Sequence, residues 1–162
     1  MQLAAPRASD ATPLRTLVTD SQGHVSTAIL PIINCQNEWF FAGDAAHHAA
    51  TSPPQTINVR PVISTHRTKK HVRSGHVVTI YGTVAPHANG EYAVLHQLRS
   101  GHWTAIRQAK IERRTMPNGS SAVGYVIKLT PTKRGTRTLR IHVGATTYTV
   151  GASTHRFKLK VT

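Results

Sequence analysis

Apolar and polar residues alternate with a period of two through the second half of this chain, a pattern that suits β-strands with one buried and one solvated face. Near the end, Phe157, Leu159 and Val161 alternate with Arg156, Lys158 and Lys160. Leu139, Ile141 and Val143 alternate with Arg140 and His142, and Val123, Tyr125, Ile127 and Leu129 with Gly124, Val126 and Lys128. Val78, Ile80, Gly82 and Val84 do the same against Val77, Thr79, Tyr81 and Thr83. Turn-forming stretches separate these runs: residues 86–90, Ser100-Gly101, Pro117-Asn118-Gly119, residues 131–135 and residues 144–151. Residues 92–98 and 103–109, joined by Arg99-Ser100-Gly101-His102, predict a hairpin, because a glycine in a short connector supplies positive φ. No segment has helical periodicity. Six or seven short strands within about 100 residues predict an all-β sandwich.

The two halves resemble each other. Ala28-Ile29-Leu30-Pro31, Glu38-Trp39-Phe40-Phe41-Ala42-Gly43, Thr51-Ser52 and Thr56-Ile57-Asn58-Val59 run parallel to residues 127–131, 138–144, Ala152-Ser153 and 157–161. On this alignment Met1-Gln2-Leu3 falls beside Ala93-Val94-Leu95, and residues 12–19 fall beside the strand led by Trp103. Residues 1–60 are then a partial domain lacking the two strands that residues 61–162, a complete domain, build from about Val62 to Val84. Such a half leaves apolar surface and a sheet edge uncovered, and is expected to be the weaker one. The chain is expected to be a fragment, or a product with a displaced start, of a longer tandem array. Arg60-Pro61-Val62 is its short, semi-rigid junction.

Some of these motifs are similar to those of a known family. Thr19-Asp20-Ser21-Gln22-Gly23-His24-Val25 and Phe41-Ala42-Gly43-Asp44, followed by Ala50-Thr51-Ser52-Pro53, resemble the second half of immunoglobulin-like repeats of secreted and wall-associated actinobacterial proteins. The second half resembles the same pattern through residues 78–84 with Pro86, Gly101-His102-Trp103, Leu129-Thr130-Pro131, Gly135 and Gly151-Ala152-Ser153. Gly144-Ala145 stands where the first half has Gly43-Asp44, with Asp44 read as a turn residue. The resemblance implies tandem immunoglobulin-like β-sandwiches, the first N-terminally truncated. It implies an extracellular or wall-associated spacer or stalk joined to neighbouring domains on a longer polypeptide, and supplies no active site.

The residues themselves argue against chemistry. The second half has two acids, Glu91 in a turn after Gly90 and Glu112 beside Arg113 and Arg114, not a carboxylate pair across a cleft. Gly119-Ser120-Ser121-Ala122-Val123-Gly124 lacks the spacing of a nucleophile elbow, and no glycine-rich phosphate loop occurs. Cys35, alone in the chain, forms no internal disulfide and reads as an incidental thiol in a polar turn. Among eleven histidines, His47-His48 beside Asp44, and His66, His71 and His76, match no metal-binding spacing. Neither a catalytic residue, a cofactor nor a metal is therefore expected. No apolar run approaches the roughly 18 residues of a membrane span, and the opening Met1-Gln2-Leu3-Ala4-Ala5-Pro6-Arg7 lacks the features of a secretion signal.

Charge is the most informative functional feature. Residues 1–60 carry three arginines against four acids, and residues 61–162 carry 17 basic residues against two acids, so of the net +14 the first half holds −1 and the second +15. Arg156, Lys158 and Lys160 fall on one strand face, Arg140 and His142 on another strand, and Lys133, Arg134 and Arg137 in the loop before it. If the last two strands pair, these residues form a basic stripe for a polyanion. An anionic wall polymer such as teichoic acid is the expected partner. Nucleic acid is the rival, disfavoured because Trp103, Tyr81 and Tyr125 are read as core or hairpin residues rather than as a stacking platform.

Overall fold

The computed structural model describes residues 3–4, 11–12, 14–86 and 90–162, so residues 87–89 of the expected turn, together with Met1 and Gln2, lie outside the described residues. The chain divides into two compact units, Met1–Val59 and Arg60–Thr162. Both are built of strands, and no helix occurs among the described residues.

The first unit contains β1 (Leu3–Ala4), β2 (Ala11–Thr12), β3 (Cys35–Asn37), β4 (Phe40–Phe41), β5 (Ala50–Thr51) and β6 (Gln55–Ile57). They form one sheet in the order β2-β1-β3-β6 and a separate β4-β5 ladder. The second unit contains β7 (Val62–Ile63), β8 (His66–Arg67), β9 (His71–Val72), β10 (Val78–Ala85), β11 (Tyr92–Arg99), β12 (His102–Lys110), β13 (Glu112–Thr115), β14 (Ser121–Leu129), β15 (Gly135–Val143), β16 (Ala152–Ser153) and β17 (Phe157–Val161). One sheet runs β13-β14-β10-β7 with β8 also on β10, and the other runs β12-β11-β15-β17-β9 with β16 also on β15.

In the second unit the alternation becomes a shared core. Val78, Ile80, Val84, Tyr125 and Ile127 from one sheet meet Ala93, Leu95, Leu139, Ile141, Val143, Leu159 and Val161 from the other, all of them buried. Burying each such aliphatic side chain contributes about 1.5–3 kcal/mol, and only two facing sheets allow all of them to be buried at once. This unit is a β-sandwich. The hairpin between β11 and β12 closes on a two-residue turn with Arg99 opposite His102, and Ser100 and Gly101 both take positive φ, 47° and 80°. That is the turn whose twist matches the flanking strands.

The first strand of the sandwich is divided. β7 and β8 pair antiparallel with β10, whereas β9 pairs parallel with β17, so the chain passes from one sheet to the other between Arg67 and His71. The break between β7 and β8 is held from inside the core. The hydroxyl of buried Tyr125 donates to Ser64 O at 2.9 Å and lies 2.7 Å from Thr65 Oγ1, and burial pushes its pKa up, keeping it a neutral donor. Opposite Tyr125 stands Gly82, where a Cβ would collide with the Ser64 carbonyl, and opposite Thr83 stands Gly124, where one would collide with Gly82 O. Both glycines are required by close backbone approach rather than by φ.

The first unit has the sheet without the covering layer. Its order β2-β1-β3-β6 matches β12-β11-β15-β17, but no residue of 14–59 is buried, and Val18, Leu30, Ile32 and Phe41 stand exposed. The expected strand at residues 28–31 does not form. Val25, Thr27, Ile29 and Pro31 are half-buried while Ser26, Ala28, Leu30 and Ile32 are exposed, the alternation of a strand without a ladder. In the second unit the corresponding strand, β14, is held between β10 and β13, and among the described residues of the first unit nothing fills those places. Amides of residues 24–33 should therefore exchange with solvent far faster than those of β10, β11, β14 and β15, measured by hydrogen–deuterium exchange on the intact chain. Tyr125→Phe should cost the second unit about 1–2 kcal/mol in denaturant unfolding, and Gly82→Ala more than about 3 kcal/mol, because the former loses hydrogen bonds and the latter displaces β7.

Candidate functional site

A hairpin with the same hydrogen bonds recurs in the two units, and it fixes which residues correspond. Cys35, Gln36 and Asn37 oppose Ile57, Thr56 and Gln55, and Arg137, Thr138 and Leu139 oppose Leu159, Lys158 and Phe157, each residue 102 positions further on. Phe40 and Phe41 oppose Thr51 and Ala50 as His142 and Val143 oppose Ser153 and Ala152. Ser52 bonds Trp39 through both its N–H and its hydroxyl, as Thr154 does Ile141. In the turn, Asp44 Oδ1 accepts from the amides of Ala46 and His47, and Thr146 Oγ1 accepts from those of Tyr148 and Thr149. Asp44 is thus a turn residue, but its counterpart is Thr146 and not Ala145. The expected placement of Leu3 beside Leu95 is likewise shifted, since Leu3 opposes Asn37 as Gln97 opposes Leu139.

Of the residues expected to form the stripe, Arg140, Lys158 and Lys160 fall on the outer face of the sheet β12-β11-β15-β17-β9. β15 and β17 pair, which places Lys158 opposite Thr138 and Lys160 opposite Thr136, with both lysines exposed; His71 of β9 stands opposite Lys160. Arg156 is exposed just ahead of β17, and Lys133 and Arg134 are exposed in the loop before β15. Arg137 departs from the expectation. It lies within β15, opposite Leu159 and so on the core side of the pleat, half-buried at the end of the sheet. Its guanidinium donates to Gln97 Oε1 at 3.1 Å and to Lys133 O at 3.3 Å, which takes it out of the stripe.

Beside the lysines the face holds a cluster that the sequence alone did not reveal. His96 of β11 opposes Arg140 of β15, and His142 lies one pleat further along. The imidazoles of His96 and His142 stack with centroids 5.4 Å apart and planes 22° from parallel. The guanidinium of Arg140 lies 4.3 Å from the centre of the Trp103 ring, and His142 Nδ1 shares a hydrogen bond of 3.0 Å with Ser153 Oγ. Trp103 is therefore not a core residue but packs across the hairpin on its outer face. It opposes Leu98 on the solvated face, half-buried, with Arg140 laid over it. His96 Nδ1 and Arg140 Nε are buried without a hydrogen-bond partner. Burial, then the nearness of His142 and of Arg140, holds the His96 imidazole below its ordinary pKa of 6.5.

No side-chain carboxylate of the second unit offsets this charge. Glu112 lies in the other sheet, paired with Arg114, and Glu91 is buried, receiving a hydrogen bond of 3.4 Å from Thr149 Oγ1 with its other oxygen unpartnered. The turn expected to present Glu91 tucks it inward instead. Elsewhere, His47 Nδ1 lies 2.9 Å from Asp44 Oδ1, and with the Ala46 amide this lowers the Asp44 pKa from 3.8. The half-buried Cys35 thiol donates to Asn37 Oδ1 at 3.6 Å. Among the described residues no three His, Cys, Asp or Glu side chains gather as metal ligands. The sequence matches no family model and none of the curated proteins.

A histidine whose pKa is lowered on folding binds its proton more readily in the unfolded chain. Its contribution to stability is present above the unfolded pKa and falls as the pH drops from there towards the folded value. The second unit should therefore lose stability as the pH falls below about 6.5, and His96→Gln should flatten that part of the profile, measured as unfolding free energy against pH.

Proposed function

We propose that the second unit is an immunoglobulin-like module of a bacterial secreted or wall-associated protein, and that it serves as a non-catalytic spacer that also holds anionic polymer on its basic sheet. The strand order supports the first part. β7/β8-β10-β14-β13 facing β17-β15-β11-β12 follows the A-B-E-D and G-F-C-C′ order of such sandwiches, with β9 as the portion of the first strand that crosses to the other sheet. The recurrence of one hairpin at a spacing of 102 residues supports reading the first unit as part of a second such module.

One observation carries the binding role. Lys158, Lys160, His71, Arg140, His96 and His142 share one solvated face of one sheet, and neither carboxylate of residues 61–162 lies on it. Sheet edges are commonly blunted with lysine, but a whole face without a counter-charge attracts polyanions and raises their rate of association. An anionic wall polymer is the partner that suits an extracellular spacer. Trp103 on the same face favours single-stranded nucleic acid as a second reading, because a base can stack there beside a cation.

Binding to isolated cell wall and to DNA across a salt series separates the two. Wall binding that falls by about tenfold when Lys158 and Lys160 become Ser, and that weakens steadily with salt, supports the wall-polymer role. Preference for DNA at moderate salt, lost on Trp103→Ala, overturns it in favour of the second reading.

A further inference from the structure

We propose that His96, His142 and Arg140 form a proton-gated site for a tetrahedral oxyanion, a sulfate or phosphate group, on the outer face of the sheet. The site deepens the polyanion reading and rests on it for its biological ligand, but its chemistry is local and can be tested with a small ion.

Three nitrogenous groups converge from two neighbouring strands. His96 and His142 are stacked, and Arg140 stands directly opposite His96 with its guanidinium immobilised over Trp103. A planar guanidinium held in place loses little freedom on binding an oxyanion, and its fork of donors suits one. The two imidazoles can stack closely while neutral. Once protonated they place two further positive charges beside the guanidinium, an arrangement that repels itself until an anion enters.

The surroundings supply no anion of their own. On β12 the positions on the cluster's side are Trp103, Ala105, Gln108 and, further along, Lys110, with Arg107 exposed at the bulge; on β11 they are Tyr92, Val94 and Leu98. On β15 the neighbour is Thr138, on β16 Ser153 and on β17 Lys158, with Arg156 just ahead of that strand; Lys160 and His71 lie further along the same face, level with Thr136. Apart from the Tyr92 phenol, every titratable group there is basic, and no carboxylate is among them. A bound oxyanion therefore becomes the counter-charge for the cluster, and linkage requires that what protons do for the anion, the anion does for protons. Affinity rises as the pH falls and protons join the cluster, and the bound anion in turn holds them there. The lowered pKa of His96 puts its share of the transition in the free protein below pH 6.5.

Sulfate is the probe because its own charge does not change across the range. Histidine ring resonances of the intact chain are followed by NMR during sulfate titration at about pH 5.5 and about pH 7.5. The site predicts shifts centred on His96 and His142, with affinity at least about fivefold higher at the lower pH. Arg140→Gln should weaken binding at both pH values. The double substitution His96→Gln with His142→Gln should leave binding at the higher pH and abolish its pH dependence, and circular dichroism establishes that each variant is folded. Ring shifts spread over all exposed histidines, or an unchanged pH dependence in the double variant, would overturn the proposal. Polyphosphate binding at about pH 7.5, with and without Lys158→Ser and Lys160→Ser, reads the polymer role separately. No polyphosphate binding by the unaltered chain, or binding that the two lysine substitutions leave unchanged, alongside intact sulfate binding would sink that role and leave the site standing.

Discussion

A sheet with one apolar face is stable in water only if something covers that face, and both halves of this chain follow from that constraint. In Arg60–Thr162 the cover is a second sheet, and the inward residues of β10 and β14 meet those of β11, β15 and β17 in a continuous core. In Met1–Val59 the same strand order occurs without a covering sheet among the described residues, and no residue of 14–59 is buried. Strand formation follows suit. The extended stretch around Val25 and Ile29 keeps the alternation of a strand but has no ladder, since backbone pairing requires a neighbour as well as a pattern.

The divided first strand shows how the two sheets are joined as well as stacked. β7 and β8 belong to one sheet and β9 to the other, so the segment of residues 62–72 closes one side of the sandwich. A phenol hydroxyl inside the core then has a reason to exist. Tyr125 fills apolar volume with its ring and satisfies the Ser64 carbonyl at the break, where the ladder leaves it unpaired. Gly82 and Gly124 make room for that approach.

Much of this was legible in the sequence. The all-β class, the strands around Ile80, Tyr125, Ile141 and Leu159, and the hairpin turning at Ser100-Gly101 all followed from periodicity and turn chemistry. Gly82 sat within an apolar alternation, a signal of close approach. The crossing of β9 was hidden because a two-residue strand has no period. Arg137 was misplaced because the start of β15 was read as loop, which concealed that it shares the parity of Leu139. The cluster on the outer face was out of reach for a different reason: His96 and His142 are adjacent only through the register of β11 on β15, and sequence patterns carry no register between distant strands. The outward parity of His96 between Val94 and Leu98 was the one available hint.

The paired hairpins make a last point about what a backbone demands. At the tip of one, a carboxylate, Asp44, receives the amides of the turn, and at the tip of the other an uncharged hydroxyl, Thr146, does so. Along the strand, Gln36 and Ile57 in the first occupy the stations of Thr138 and Leu159 in the second. The scaffold asks for an oxygen in one place and greasy bulk in another, and is indifferent to formal charge. One hairpin backbone can thus carry a nearly neutral coat in one unit and a strongly cationic coat in the other, its hydrogen bonds unchanged.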